Sequence, residues 1–201
     1  MEYEKIDQYI KSILSEKRYI HSKGVAKRAK ELAHIYGEDE KKAELIGIAH
    51  DVAKEMQKEE AIKYVKENGI IFNEIEQKEQ GLWHSKIGAD IVKKKFGFTK
   101  DMSQAILYHT TGNVNMNNMD KIIYIADKTE ENRKVKNLIL NVEEAIEISN
   151  KNLDDGVLYI ACNALTYSMN KKSLIHLDTI NLINKIIMDS RTLEMFKHKI
   201  Y

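Results

Sequence analysis

The chain has 201 residues, 43% hydrophobic and 31% charged, and its 32 Lys and Arg nearly balance 31 Asp and Glu for a net charge of +1. That length supports a sizeable core, and the charge balance excludes a long-range field for holding a nucleic-acid backbone, so nucleic acid is not an expected partner. One cysteine, Cys162, excludes a disulfide framework, and no signal-like N-terminus or run of 18 apolar residues occurs, so a cytoplasmic protein with no membrane association is expected.

Proline is absent, which removes the strongest helix breaker from every segment. Apolar residues recur at helical spacing, and in chain order they predict a first helix near 4–15. A second runs through Val25, Ala26, Ala29, Leu32, Ala33 and Tyr36, with Gly37 as its C-terminal cap. Others follow at 40–53, 58–67 ending at Asn68-Gly69, 83–95 ending at Gly97, 101–109, 117–131, 142–149, 153–170 and 177–190. Alternating strand patterns are scarce, and no linker or internal repeat interrupts the chain. The expected fold is all-α, a compact helical bundle forming a single domain over 1–201.

Function has to be sought where His and Asp interrupt apolar helical faces. In AELIGIAHDVAKE, His50 and Asp51 follow a strongly apolar run, and an ionised Asp buried there must be paired or bound to metal. Imidazole beside carboxylate suits a first-row divalent metal, although a buried His-Asp pair can also be simple structural hydrogen bonding. His21 is read as opening the helix of SKGVAKRAKELA, and His84 opens LWHSKIGADIVKK. His109 closes a helix in SQAILYHTTG, and Asp127 lies in KIIYIADKTE. Each has an ordinary structural reading too: His109 as a helix cap, His84 as a surface residue, Asp127 as a partner of Lys128 or Lys121. Together they place six potential ligands on separate helices that can converge.

The order H…HD…H…H…D, carried by HSKGVAKRAKELA, IGIAHDVAKE, LWHSKIGA, AILYHTTG and KIIYIADKTE, resembles the YqeK-type branch of the HD superfamily, which contains symmetrical bis(5′-nucleosyl)-tetraphosphatases. The likeness runs from about Ile20 to Ile187, where IHLDTINLINKI is similar to the family's IHPDT segment. It implies an HD-domain helical bundle in which His21, His50, Asp51 and Asp127 form a primary metal set, with His84 and His109 completing a second site. It also implies iron, two ions per chain, with manganese and zinc able to accept the same ligands. The implied reaction is hydrolysis of diadenosine tetraphosphate or a related dinucleoside polyphosphate to two ADP by water activated at a dinuclear centre. Other HD branches keep open a mononucleotide or deoxynucleotide phosphohydrolase, and a non-catalytic nucleotide-sensing module is a third reading. Some relatives carry a nicotinate-nucleotide adenylyltransferase; with twenty residues before His21, no such fusion is expected. Oligomeric state is not legible, and a homodimer is allowed.

Two divalent cations offset by Asp51 and Asp127 leave roughly +2 for phosphate oxygens, so further cations are needed for a bridge carrying about four negative charges. Lys54 and Arg133 are the candidates beside Asp51 at the reacting phosphate, with Arg18 a third; each is alternatively a solvated surface charge. Thr110 and Thr111, after His109, either hold a phosphate or terminate the helix. His84 and His109 would also face the substrate. Asn170, Lys171, Lys172, Ser173, Leu174 and Ile175 are placed near the nucleotide by the resemblance, and their composition is also that of an inter-helix turn. The chain departs from the family in HTTGNVNMN, where relatives read like HTTGRPGMS, and in EENRKVKNL, where they read like EPxRDFPGV. His34, His176 and His198 are left outside the site, and Cys162 has no His nearby in sequence.

Overall fold

A computed structural model describes residues 3–132 and 140–197. Within them the chain forms eleven α-helices and no strands: α1 (Tyr3–Ile13), α2 (Glu16–Tyr36), α3 (Glu40–Ala49), α4 (Lys58–Glu67), α5 (Glu74–Lys78), α6 (Trp83–Phe96), α7 (Lys100–Tyr108), α8 (Asn118–Thr129), α9 (Val142–Lys151), α10 (Leu153–Lys171) and α11 (Leu177–Lys197). A 3₁₀ turn, Gln80–Leu82, leads into α6. The all-α expectation is met.

The centre of the bundle is α2 packed against α3 and α8, with α7 joining α8 to α6, and α10 covering α8 and α9. Small residues on α2 let this happen. A Cβ added at Gly47 of α3 would sit 2.7 Å from Ala26 Cα, so the two helices touch backbone to backbone. The core is one continuous cluster running from Ile6 and Ile10 through Leu32, Ile46, Ile48, Ile106, Ile122, Ile123 and Ile125 to Ile160 and Ile186.

Several helix limits differ from the periodicity. The first helix stops at Ile13, because Ser15 caps α2 by accepting from Arg18 N, and α2 begins eight residues or so before its apolar stripe. His21 therefore sits inside α2 rather than at its start. The predicted helix 40–53 ends at Ala49. From there the chain makes tight turns, Val52 N to Ala49 O at 3.0 Å and Lys54 N to Asp51 O at 2.8 Å. His50 and Asp51 thus leave the helix instead of riding on it, and Lys54 follows on the same turn. Glu55 pins this turn to the start of α2 by accepting from Ser15 N (2.6 Å) and Ser15 Oγ (2.7 Å). The 117–131 prediction shortens to Asn118–Thr129, with Asn117 and Asp120 forming a capping box. α9 and α11 extend beyond 149 and 190. α5 and the 3₁₀ turn are not in the prediction.

Candidate active site

Three helices end at one place. His50 follows the last residue of α3, His109 follows the last residue of α7, and Asp127 lies in the final turn of α8. His21 comes from the second turn of α2, and His84 from the first turn of α6. His50, Asp51, His84, His109 and Asp127 are all buried, with His50 fully inaccessible.

Three of the rings are oriented by the same local device. Nδ1 of His50 donates to Gly47 O (2.8 Å), Nδ1 of His84 to Gly81 O (2.8 Å) and Nδ1 of His109 to Ile106 O (2.6 Å), each the carbonyl three residues earlier. His21 Nδ1 is held instead by the Glu130 carboxylate at 3.1 Å. With its Nδ1 proton committed outward, each neutral ring turns an Nε2 lone pair inward.

Those lone pairs and two carboxylates converge. His21 Nε2 is 3.0 Å and His50 Nε2 3.7 Å from Asp127 Oδ1, while His50 Nε2 is 3.4 Å from Asp51 Oδ2. His84 Nε2 and His109 Nε2 lie 3.4 and 3.7 Å from Asp51 Oδ1 and 3.1 Å from each other. The Thr110 hydroxyl reaches both, at 3.2 and 3.1 Å. Nε2 of His21 and of His50 are buried without a hydrogen-bond partner of good geometry. Acceptor atoms packed this closely need a cation between them, and the donors match divalent-metal chemistry. Two groups have ligand atoms within 4.8 Å of one another, His21–His50–Asp127 and His50–Asp51–His109, with His50 common to both.

In the metal-free protein a proton takes the cation's part. Burial alone would lower the His50 imidazole, but the charge of Asp51, and with it that of Asp127, holds it up at about 9. Burial likewise works against Asp51 and Asp127, yet both stay well below the usual carboxylate range. His50 is the main cause for Asp51, and for Asp127 the Lys128 ammonium acts with His21 and His50. His84 is pushed well down by burial and then by the Lys54 charge, and His109 is lowered by burial. These two rings stay neutral and ready to ligate.

A cleft of about 210 Å³ opens onto Asp51, His84, His109 and Asp127. Its remaining wall is cationic. Arg18 Nη1 donates to Asp51 Oδ2 at 2.8 Å, Lys128 pairs with Asp127 Oδ2, and Lys54 Nζ stands 3.3 Å from His84 Nε2. Burial lowers the Lys54 ammonium from its ordinary value. Of the expected phosphate contacts, Arg18, Lys54 and Thr110 line this cleft. Thr111 does not; its carbonyl accepts from Thr179 Oγ1 at 2.8 Å and ties the loop after α7 to α11. None of Asn170, Lys171, Lys172, Ser173, Leu174 and Ile175 lines it, and Arg133 lies outside the described residues.

Two contributors were not anticipated. Lys128 was read only as a partner for Asp127, and Glu130 not at all, because its partner His21 is 109 residues away in sequence. Glu130 is buried, accepts from Asn132 N at 2.5 Å, and occupies the space a Cβ at Gly24 would need. A carboxylate that orients a ligand histidine typically sets metal affinity by 10–100-fold. Glu130→Ala is therefore expected to weaken divalent-metal binding by roughly 10–100-fold, read by competition with a chromophoric chelator. Unchanged affinity would make Glu130 a structural residue only.

The HD domain family model matches residues 18–132. The chain is 33% identical over 182 residues to the symmetrical bis(5′-nucleosyl)-tetraphosphatase of Bacillus subtilis (strain 168), covering 90% of this chain and 95% of that protein. It is 34% identical to the protein of the same name from Halalkalibacterium halodurans, covering 92% and 96%. A crystal structure from Clostridium acetobutylicum, described as a predicted HD superfamily hydrolase involved in NAD metabolism, superposes with a TM-score of 0.87 at 35% identity, over 94% of this chain and 98% of that one.

Proposed function

The chain belongs to the HD domain family, in the branch of symmetrical bis(5′-nucleosyl)-tetraphosphatases, and from that membership we propose that it hydrolyses diadenosine tetraphosphate and related dinucleoside polyphosphates to two nucleoside diphosphates. One observation carries the reading: four imidazole nitrogens and two carboxylates converge at one centre, and Asp51, His84, His109 and Asp127 of that set line a cleft whose outer wall holds Arg18, Lys54 and Lys128. We assign metal binding to His21, His50, Asp51, His84, His109 and Asp127, as two ions, with iron the expected metal and manganese or zinc able to substitute. When bound, such ions supply Lewis acidity that activates water and offsets phosphate charge.

The rest is done by side chains. His84 and His109, kept neutral by burial, hold their lone pairs toward the centre at any pH near neutrality. Arg18, Lys54 and Lys128 grip the bridging phosphates, and the Thr110 hydroxyl, between two ring nitrogens, is placed to donate to a phosphate oxygen. The Lys54 ammonium stands where a leaving diphosphate would gain charge. Arg133 is proposed as a further cation for the leaving group. The lone cysteine fits a cytoplasmic setting, and among the described residues no helix is long and apolar enough to cross a membrane.

The deciding measurement is the product pair in oxygen-18 water. ADP is expected as the sole product, with label in the terminal phosphate of one of the two molecules, since one water enters and the leaving ADP keeps its bridging oxygen. ATP plus AMP would exclude attack at the middle of the bridge. Phosphate release from AMP or dAMP without dinucleotide cleavage would place the chain among the mononucleotide phosphohydrolases instead.

A further inference from the structure

Beside the cleft lies a second hollow, of about 270 Å³, that shares Lys54 and His84 with it as common walls. Its other walls are mostly apolar: Ala53, Met56, Trp83 and Ile87, with Gln80 and Gly81 of the 3₁₀ turn on its exposed side. Resting on the function proposed above, we propose that this hollow is a nucleoside subsite, taking the base and ribose of one half of the dinucleotide while its phosphates cross over Lys54 and His84 into the metal cleft.

The hollow is built rather than left over. Trp83 cannot swing in to fill it: its ring stacks on Phe72 at 5.3 Å and 19°, and its Nε1 donates to Glu76 O at 2.5 Å. One edge of a rigid indole therefore remains to meet a heterocycle. The small side chain of Ala53 keeps the volume open, and a Cβ at Gly81 would meet nothing within 4 Å. Gln80 carries both a donor and an acceptor, the pair needed along the edge of a purine. The two spaces together fall in the range of roughly 300–1,000 Å³ usual for small-molecule sites, whereas neither alone would hold a nucleoside polyphosphate. The 3₁₀ turn, which the periodicity does not predict, thus acquires a purpose as a wall of the hollow, and the short α5 as the element that holds Trp83 through the Glu76 carbonyl.

Trp83 is the only tryptophan in the chain, so its emission reports on this hollow directly. With magnesium present, ADP should change Trp83 emission saturably, and inorganic pyrophosphate, which has no nucleoside, should leave it nearly unchanged. Gly81→Phe, at an open position with an ordinary backbone, should raise KM for diadenosine tetraphosphate tenfold or more, with kcat reduced much less and inhibition by pyrophosphate unaltered. Equal emission changes with ADP and pyrophosphate would overturn the proposal. So would ADP binding seen by equilibrium dialysis without an emission change, or a wild-type KM in a folded Gly81→Phe protein. Symmetrical cleavage combined with any of these sinks the subsite alone. An ADP-specific emission change without dinucleotide cleavage sinks the reaction and leaves the subsite standing.

Discussion

Asp51→Asn keeps the shape of the side chain and is expected to lose turnover on the order of 10³-fold or more, with bound metal falling from two ions per chain to one or none. The reason is position. One carboxylate lies within 4 Å of His21, His50, His84 and His109 and accepts from Arg18 at 2.8 Å. An amide there removes the charge that balances the cations and turns an NH₂ donor toward ring lone pairs that a metal would need. The remaining carboxylate, on Asp127, lies 3.7 Å from His50 Nε2 and already pairs with Lys128. Elemental analysis after dialysis and single-turnover kinetics check the result together. Turnover within tenfold of wild type with both ions retained would remove Asp51 from the centre.

Metal affinity should climb about tenfold per pH unit until about pH 9 and then level off. The His50 imidazole, raised to about 9 in the metal-free protein, holds a proton at neutral pH. Ligation at Nε2 requires that proton to leave, so protons compete with metal below the pKa and not above it. His84 and His109 add nothing to the slope near neutrality, since burial and, for His84, the Lys54 charge keep them unprotonated. Calorimetry at pH 7.5 in two buffers of different ionisation enthalpy should show about one proton released per chain. Affinity independent of pH between 6.5 and 8.5 would mean that His50 is not a ligand. The same proton stabilises the metal-free fold below the unfolded histidine pKa, and that stabilisation is lost as pH rises through about 9.

Much of this was legible because helices advertise their ends. Gly37 and Gly97 stand in left-handed conformation after α2 and α6, as their positions in the pattern required, and α4 runs over the residues its periodicity predicts. The missed elements were short and polar. EIEQK has no apolar stripe to read, and its one signal is the Asn73 to Glu76 capping box. Continuing α3 through 53 was an error of a different kind. Apolar Val52 and Ala53 carry on the helical pattern, but they are buried after a turn that exists to aim His50 and Asp51. Metal-ligand candidates could be read from residue type and from the resemblance, since their chemistry is narrow. Glu130 could not: thirty-one acidic residues share its composition signal, and only the tertiary approach of α2 and the end of α8 singles it out.

The meeting of three helix ends also decides how the centre holds its own cations. α3, α7 and α8 all present their C-termini to the centre, and each such terminus carries a partial negative charge of about half an electron. Of the nearby cations, Arg18 is engaged with Asp51 and Lys128 with Asp127, while Lys54 and the protonated His50 ring add positive charge beside them. In the metal-free protein the converging helix ends and the two carboxylates thus hold cations with which a polyphosphate would otherwise pair. Divalent ions filling the centre would take over the carboxylates, release Arg18 and Lys128 to phosphate oxygens and add positive charge of their own. The share of molecules whose cleft offers all three side-chain cations to phosphate would then follow the free concentration of the ion.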